Sequence, residues 1–236
     1  MYILITIDYI MYTQESWDKF YENYDGVLPW ISVEHKRNSI KILTEVLGLN
    51  VEWKYILDYG CWNGHIWDYF LQLWADVDFA DVSDIMVEKL KREKLYKSEI
   101  AGVVWSDMKK AGKVHVYKAE IPSDIPNKEF YDYIICIWVF PHIDPEMWKT
   151  FLDGLWDLLK KWWRLVVSWW DLTDEVLKEE NYLWHVTWDF SWCINDLPKH
   201  LDLDAYEVEK SEVYDEKVPM FDKVRKWRYF AVKHKE

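Results

Sequence analysis

The chain has 236 residues, half of them hydrophobic and 30% charged, with 42 acidic against 29 basic residues and a formal net charge of -13. That composition predicts one folded domain, since no stretch is repetitive or Ser/Gly-rich, and the acidic balance opposes nucleic acid as a partner, because affinity for a phosphate backbone comes from Lys and Arg. Three cysteines (Cys61, Cys136, Cys193) without a CxxC pair suggest neither a disulfide framework nor a zinc site, and point to a reducing, cytoplasmic setting.

The apolar start carries Asp8, lacks the basic residues of a signal peptide and is far shorter than the roughly 20 residues of a membrane span, so neither a targeting segment nor a membrane partner is expected. From Gln14 to Leu49 apolar residues recur at helical spacing, broken by Gly26 and Pro29, which predicts two helices. Residues 1–50 are read as a helical segment of the same domain as 51–236. Tyr55 to Asp58 reads as the first strand, followed by a tight loop with Gly60 and Gly64 and then a helix carrying Ile66, Trp67, Phe70, Leu71 and Leu73. Strands are predicted at 77–81, 114–117, 133–138 and 164–168, with helices at 85–94 and 147–160 between them. This alternation predicts an α/β fold, a mostly parallel seven-stranded sheet with helices on both faces. Residues 205–214 and 226–233 read as two further strands, too close in sequence for a crossover, and so predict an antiparallel C-terminal hairpin. Between them and the fifth strand lies a Trp/His-rich insert, residues 179–203.

In an open parallel sheet, ligands bind beyond the carboxyl ends of the strands. The loop after the first strand reads Asp58-Tyr59-Gly60-Cys61-Trp62-Asn63-Gly64. Asp81-Val82-Ser83 closes the second strand, Ala119-Glu120-Ile121 follows the third, and Asp132 leads into the fourth. This ordered set, with the turn from Leu158 to Ser168, resembles the class I S-adenosylmethionine-dependent methyltransferases, a Rossmann-like family, over roughly Tyr55 to Lys233. The resemblance implies that Asp58, Gly60, Cys61, Trp62 and Gly64 form the loop against the cofactor. It further implies that Asp81 and Val82 hold the ribose end, and that Glu120 and Ile121 stand on the adenine side. S-adenosylmethionine is then the cofactor.

Three positions depart from the family pattern: Trp62, Trp162 and Trp163 stand where the family usually has glycine. They belong to a chain-wide inversion of 18 Trp against 7 Gly, where ordinary usage would give glycine at about 7% of residues. An indole at 62 would fill the place of the cofactor's methionine part or swing out and deform the loop.

Methyl transfer asks the protein to hold the acceptor in line and, where needed, to take a proton. His142, just past the fourth strand, is the candidate base, with His65 and His185 behind it. The expected acceptor is a small molecule walled by Trp17, Tyr21, Trp184, Trp188 and Trp192, and no metal is implied. The alternative is a non-catalytic or engineered protein of this fold whose cofactor site Trp62 blocks. A nicotinamide enzyme would need G-x-G-x-x-G from Gly60, and positions 62 and 65 fail it. A nucleophilic Cys61 is a further idea, without a basic neighbour in sequence.

Overall fold

The computed structural model describes residues 14–24, 39–62, 64, 70, 73, 75–92, 115–137, 139–140, 143, 145–170, 206–218 and 223–234. In chain order the elements are α1 (Gln14–Tyr24), a π-helical turn (Ile42–Val46), β1 (Tyr55–Tyr59), β2 (Asp76–Asp81), α2 (Asp84–Leu90) and β3 (Val116–Lys118). A 3-10 turn (Pro122–Asp124), β4 (Tyr131–Cys136), α3 (Trp148–Leu158), β5 (Leu159–Trp170), β6 (Tyr206–Val218) and β7 (Lys223–His234) follow. The helix expected around residues 66–73 falls mostly outside the described residues, as does the insert at 179–203.

The seven strands form one sheet in the order β3-β2-β1-β4-β5-β7-β6. β1 to β5 run parallel, and β7 enters between β5 and β6, antiparallel to both. The predicted hairpin is therefore present, and it leaves β6 rather than β7 at the edge.

Alternation along the strands divides the core into two layers. Leu57, Ile134, Cys136, Leu165, Val167, Phe230 and Val232 face one side, where α3 buries Phe151, Leu152, Leu155 and Trp156 against them. Ile56, Val77, Phe79, Tyr133, Ile135, Val166, Tyr229 and Ala231 face the other, under Ile42, Leu43, Leu47, Phe70 and Leu90. Strands buried on both faces read as continuous apolar runs, which is why the sequence places them readily.

Two of the boundaries that differ from the sequence reading have a clear physical cause. β4 begins two residues early because Asp132 accepts the backbone N–H of Tyr55 (2.9 Å) and ion-pairs with Lys160 (2.9 Å), a tie that joins three strands at the amino end of the sheet. β5 begins at Leu159 because the ladder with β4 jumps from Tyr131↔Leu159 to Tyr133↔Arg164 and bulges at residues 160–163. Trp162 lies in that bulge, 58% exposed, while Trp163 packs edge-on against Tyr133.

Candidate functional site

The carboxyl ends of β1 and β2 carry the candidate site. Past β1 the chain turns over onto β2: the N–H groups of Gly60 and Cys61 both donate to the carbonyl of Ala80 (2.8 and 3.2 Å), and the N–H of Gly64 donates to that of Cys61 (2.8 Å). Gly60 has φ +67°, and a Cβ there would lie 2.1 Å from Cγ2 of Val139, so both backbone conformation and close approach require glycine. Gly64 and Trp62 share the left-handed region, at φ 60° and 48°. Asp58, at the end of β1, and Cys61 are buried beneath this loop. Burial, with Asp81 and Asp58 nearby, pushes the Cys61 thiol well above the usual range, which disfavours the thiolate that a nucleophile needs.

Asp81 anchors the loop. Its carboxylate accepts the backbone N–H of Trp62 and that of Ser83 (3.0 Å each). Burial is the larger influence and pushes its pKa up to about 6, against the pull of the N–H groups of Ser83, Trp62 and Val82. The acid expected to hold the ribose thus closes β2, with its oxygens turned to the protein's own backbone.

Over this crevice lies α1. Its Asp18 accepts from the hydroxyl of Ser83 and from the N–H of Ile85 (3.3 Å), while Ser83 caps α2 by accepting from the N–H of Met86 (3.3 Å). Partial burial works against ionisation of Asp18, and its donors, Ser83 first, outweigh that and set it below the usual carboxylate range. Beside this polar tie, Tyr21 and Trp62 pack on Met86, with Trp17 and Ile85 around them, and Trp17 stacks on Tyr21 with centroids 5.7 Å apart. The expected acceptor walls Trp17 and Tyr21 thus hold α1 down onto the indole of Trp62, which is 8% exposed. Asp18 and Ser83 carry this closure and were not singled out from sequence. The signal was available in Ser83 ahead of Asp84-Ile85-Met86, a helix N-cap pattern.

Whether an adenosine-type cofactor fits can be judged from these contacts. The strand order, the two glycines, and an acid at the end of β2 suit it. The indole does not: with Trp62 buried between Tyr21 and Met86 and Asp81 4% exposed, the crevice is closed.

The remaining site residues divide. Val82 is half-buried beside Asp81. Glu120 and Ile121 are exposed next to it, the carbonyl of Asp81 accepting the N–H of Ala119 (3.0 Å), and both donate their backbone N–H groups to Asp124 (2.9 and 3.1 Å). His142, His65 and His185, with Trp184, Trp188 and Trp192, lie outside the described residues. Among the described residues no three His, Cys, Asp or Glu side chains gather as a metal cluster, and no helix is long and apolar enough to cross a membrane.

The fold is shared with known proteins. A family described as "Methyltransferase domain" matches residues 34–233. No curated protein sequence matches. Among solved structures, the chain is similar to magnesium protoporphyrin IX methyltransferase from Synechocystis PCC 6803 with bound S-adenosylhomocysteine, at 18% identity and TM-score 0.60, covering 94% of this chain and 95% of that one. It is also similar to the 1,6-didemethyltoxoflavin-N1-methyltransferase of Burkholderia thailandensis, with bound 1,6-didemethyltoxoflavin and S-adenosylhomocysteine. There identity is 15% and TM-score 0.61, with 100% of this chain and 93% of that one covered.

Proposed function

The chain belongs to the methyltransferase-domain family, and on that premise we propose that it transfers the methyl group of S-adenosylmethionine to a small-molecule acceptor. The observation that carries the reading is the placement of Asp81 at the carboxyl end of β2, bridged to the glycine loop that leaves β1. The cofactor supplies an activated methyl group. The chain's own residues have three tasks in this reading. Asp81, with Val82, would hold the ribose end, Glu120 and Ile121 would bound the adenine side, and His142 would take the acceptor's proton. The acidic net charge favours a small acceptor over nucleic acid, and both solved relatives above are named for small-molecule substrates.

The closed crevice favours a second reading, a protein of this fold that does not turn over because Trp62 fills its cofactor site. Calorimetric titration with S-adenosylhomocysteine, of this chain and of Trp62→Gly in parallel, separates the two. Saturable binding by the unaltered chain supports methyl transfer and licenses an acceptor screen with labelled methyl groups; label entering RNA and not small metabolites would sink the small-molecule acceptor. Silence in the chain that the variant reverses supports the blocked site. Silence in both would count against either reading of the crevice.

A further inference from the structure

The left-handed region of backbone space holds seven of the described residues: Gly48, Gly60 and Gly64, then Trp53 (φ 59°), Trp62 (48°), Trp162 (72°) and Glu129 (47°). Glycine enters that region freely, whereas a bulky L side chain there is an outlier. Asn and Asp tolerate it through a short polar side chain that bonds locally, and an indole has no such means. The three tryptophans lie in three unrelated turns: one ahead of β1, one in the loop after β1, one in the bulge of β5. Trp53 and Trp162 are 60% and 58% exposed, so burial does not compensate for their conformation, and the bond from the Trp53 indole N–H to the Glu52 carboxylate (3.1 Å) is made at the surface. Trp62 is buried, and it is the side chain that closes the crevice.

Other tryptophans behave as tryptophan should. Trp148 is fully buried in α3 and donates its indole N–H to the carbonyl of Ile143 (3.0 Å). Trp156, 5% exposed on the same helix, stacks on Tyr206 with centroids 4.1 Å apart. The chain thus holds two kinds of tryptophan, and its 7 glycines fall well short of the about 17 that ordinary usage would give a chain of this length.

We infer that positions 53, 62 and 162 are glycine in the polypeptide that works in the cell, inserted at a codon that a different genetic code reads as tryptophan. UGA is such a codon: depending on the code it ends a chain, inserts tryptophan or inserts glycine, while UGG specifies tryptophan. A gene whose UGA codons mean glycine, read under a code in which they mean tryptophan, yields this pattern of indoles in glycine turns beside indoles in the core. Glycine at 62 takes the indole from between Tyr21 and Met86 and keeps the backbone N–H that donates to Asp81. The crevice over β1 and β2 then opens without any change in the loop's path.

The test is peptide mass spectrometry on the protein purified from the cells that naturally make it, alongside the codons of its gene. The expected result is glycine at 53, 62 and 162, encoded by UGA, with tryptophan at 148 and 156, encoded by UGG. Tryptophan at any of the first three positions, or glycine at either of the last two, overturns the inference. The outcome is separable from the cofactor reading. Glycine at all three positions in a protein that ignores S-adenosylhomocysteine would leave this inference standing and remove the proposed function.

Discussion

Replacing Gly60 by alanine tests the geometry of the loop on which the site is built. A Cβ at φ +67° costs about 1–2 kcal/mol, partly offset by about 0.4–1 kcal/mol from the stiffer unfolded chain, for a net of about 1 kcal/mol. The same Cβ would sit 2.1 Å from Cγ2 of Val139, far inside the roughly 3.5–4.0 Å of a favourable carbon contact. Overpacking of that kind adds about 1–3 kcal/mol. Gly60→Ala is therefore expected to cost about 2–4 kcal/mol in urea denaturation. Val139→Ala, truncating a half-buried side chain, costs about 1 kcal/mol by itself. In the double variant the overlap disappears while the backbone strain stays, so the two costs should fall short of additivity by about 1–3 kcal/mol. Additive costs would refute the close approach as the reason for glycine at this position.

Other perturbations follow from the same contacts. Trp53→Gly should leave stability within about 1 kcal/mol of the parent, because relief of the left-handed strain offsets the looser unfolded chain. Trp156→Gly in α3 should cost about 4 kcal/mol or more, from the emptied core and a glycine in a helix. Equal costs in thermal denaturation would contradict two kinds of tryptophan. Burial holds Asp81 at about 6 against 3.8, so its contribution to stability is fully present below about pH 3.8 and lost as pH rises to about 6, a loss on the order of 3 kcal/mol. Parent minus Asp81→Asn unfolding free energy should accordingly decline across that window and then level, and a flat difference would contradict the assignment. Ser83→Ala removes the α2 cap and a donor to Asp18, and should cost about 1–2 kcal/mol while raising exchange of the α1 amides; protection unchanged in α1 would detach that helix from the closure. Lys160→Met leaves the buried carboxylate of Asp132 without its cation and should cost about 1–3 kcal/mol; no loss in urea denaturation would make that pair ornamental.

Much of the sheet could be read from sequence because its strands are short apolar runs bounded by acids and glycines, and each acts locally. Asp81 could be set at the end of the second strand for the same reason, after Val77-Asp78-Phe79-Ala80. Its orientation was not legible, since that depends on backbone donors from Trp62, 19 positions away in the chain. Asp132 could be read as the acid leading into the fourth strand, but not as a strut that ties three strands at the amino end of the sheet, which needs β1 and β5 in place. Asp78 is likewise a strut within β2, accepting from the backbone of His115, just ahead of β3 (3.1 Å), and from the hydroxyl of Tyr131 in β4 (2.8 Å). The lid formed by α1 depends on side chains 65 positions apart, Asp18 and Ser83. Periodicity can announce a helix but not the surface it settles on.

The placement of β7 between β5 and β6 has a consequence for how the molecule is made. On the ribosome β6 emerges before β7, and among the described residues its ladder partner in the finished sheet is β7. Residues 206–218 therefore reach the sheet through β7, the hairpin partner that follows them in the chain. Glu207 and Glu209, which in the folded protein meet Lys233 and Arg164, give the edge strand charges that disfavour pairing with a neighbouring chain. β6 and β7 pair locally in the chain, whereas β7 meets β5 across the span from residue 170 to residue 223, the long-range kind of contact that slows folding.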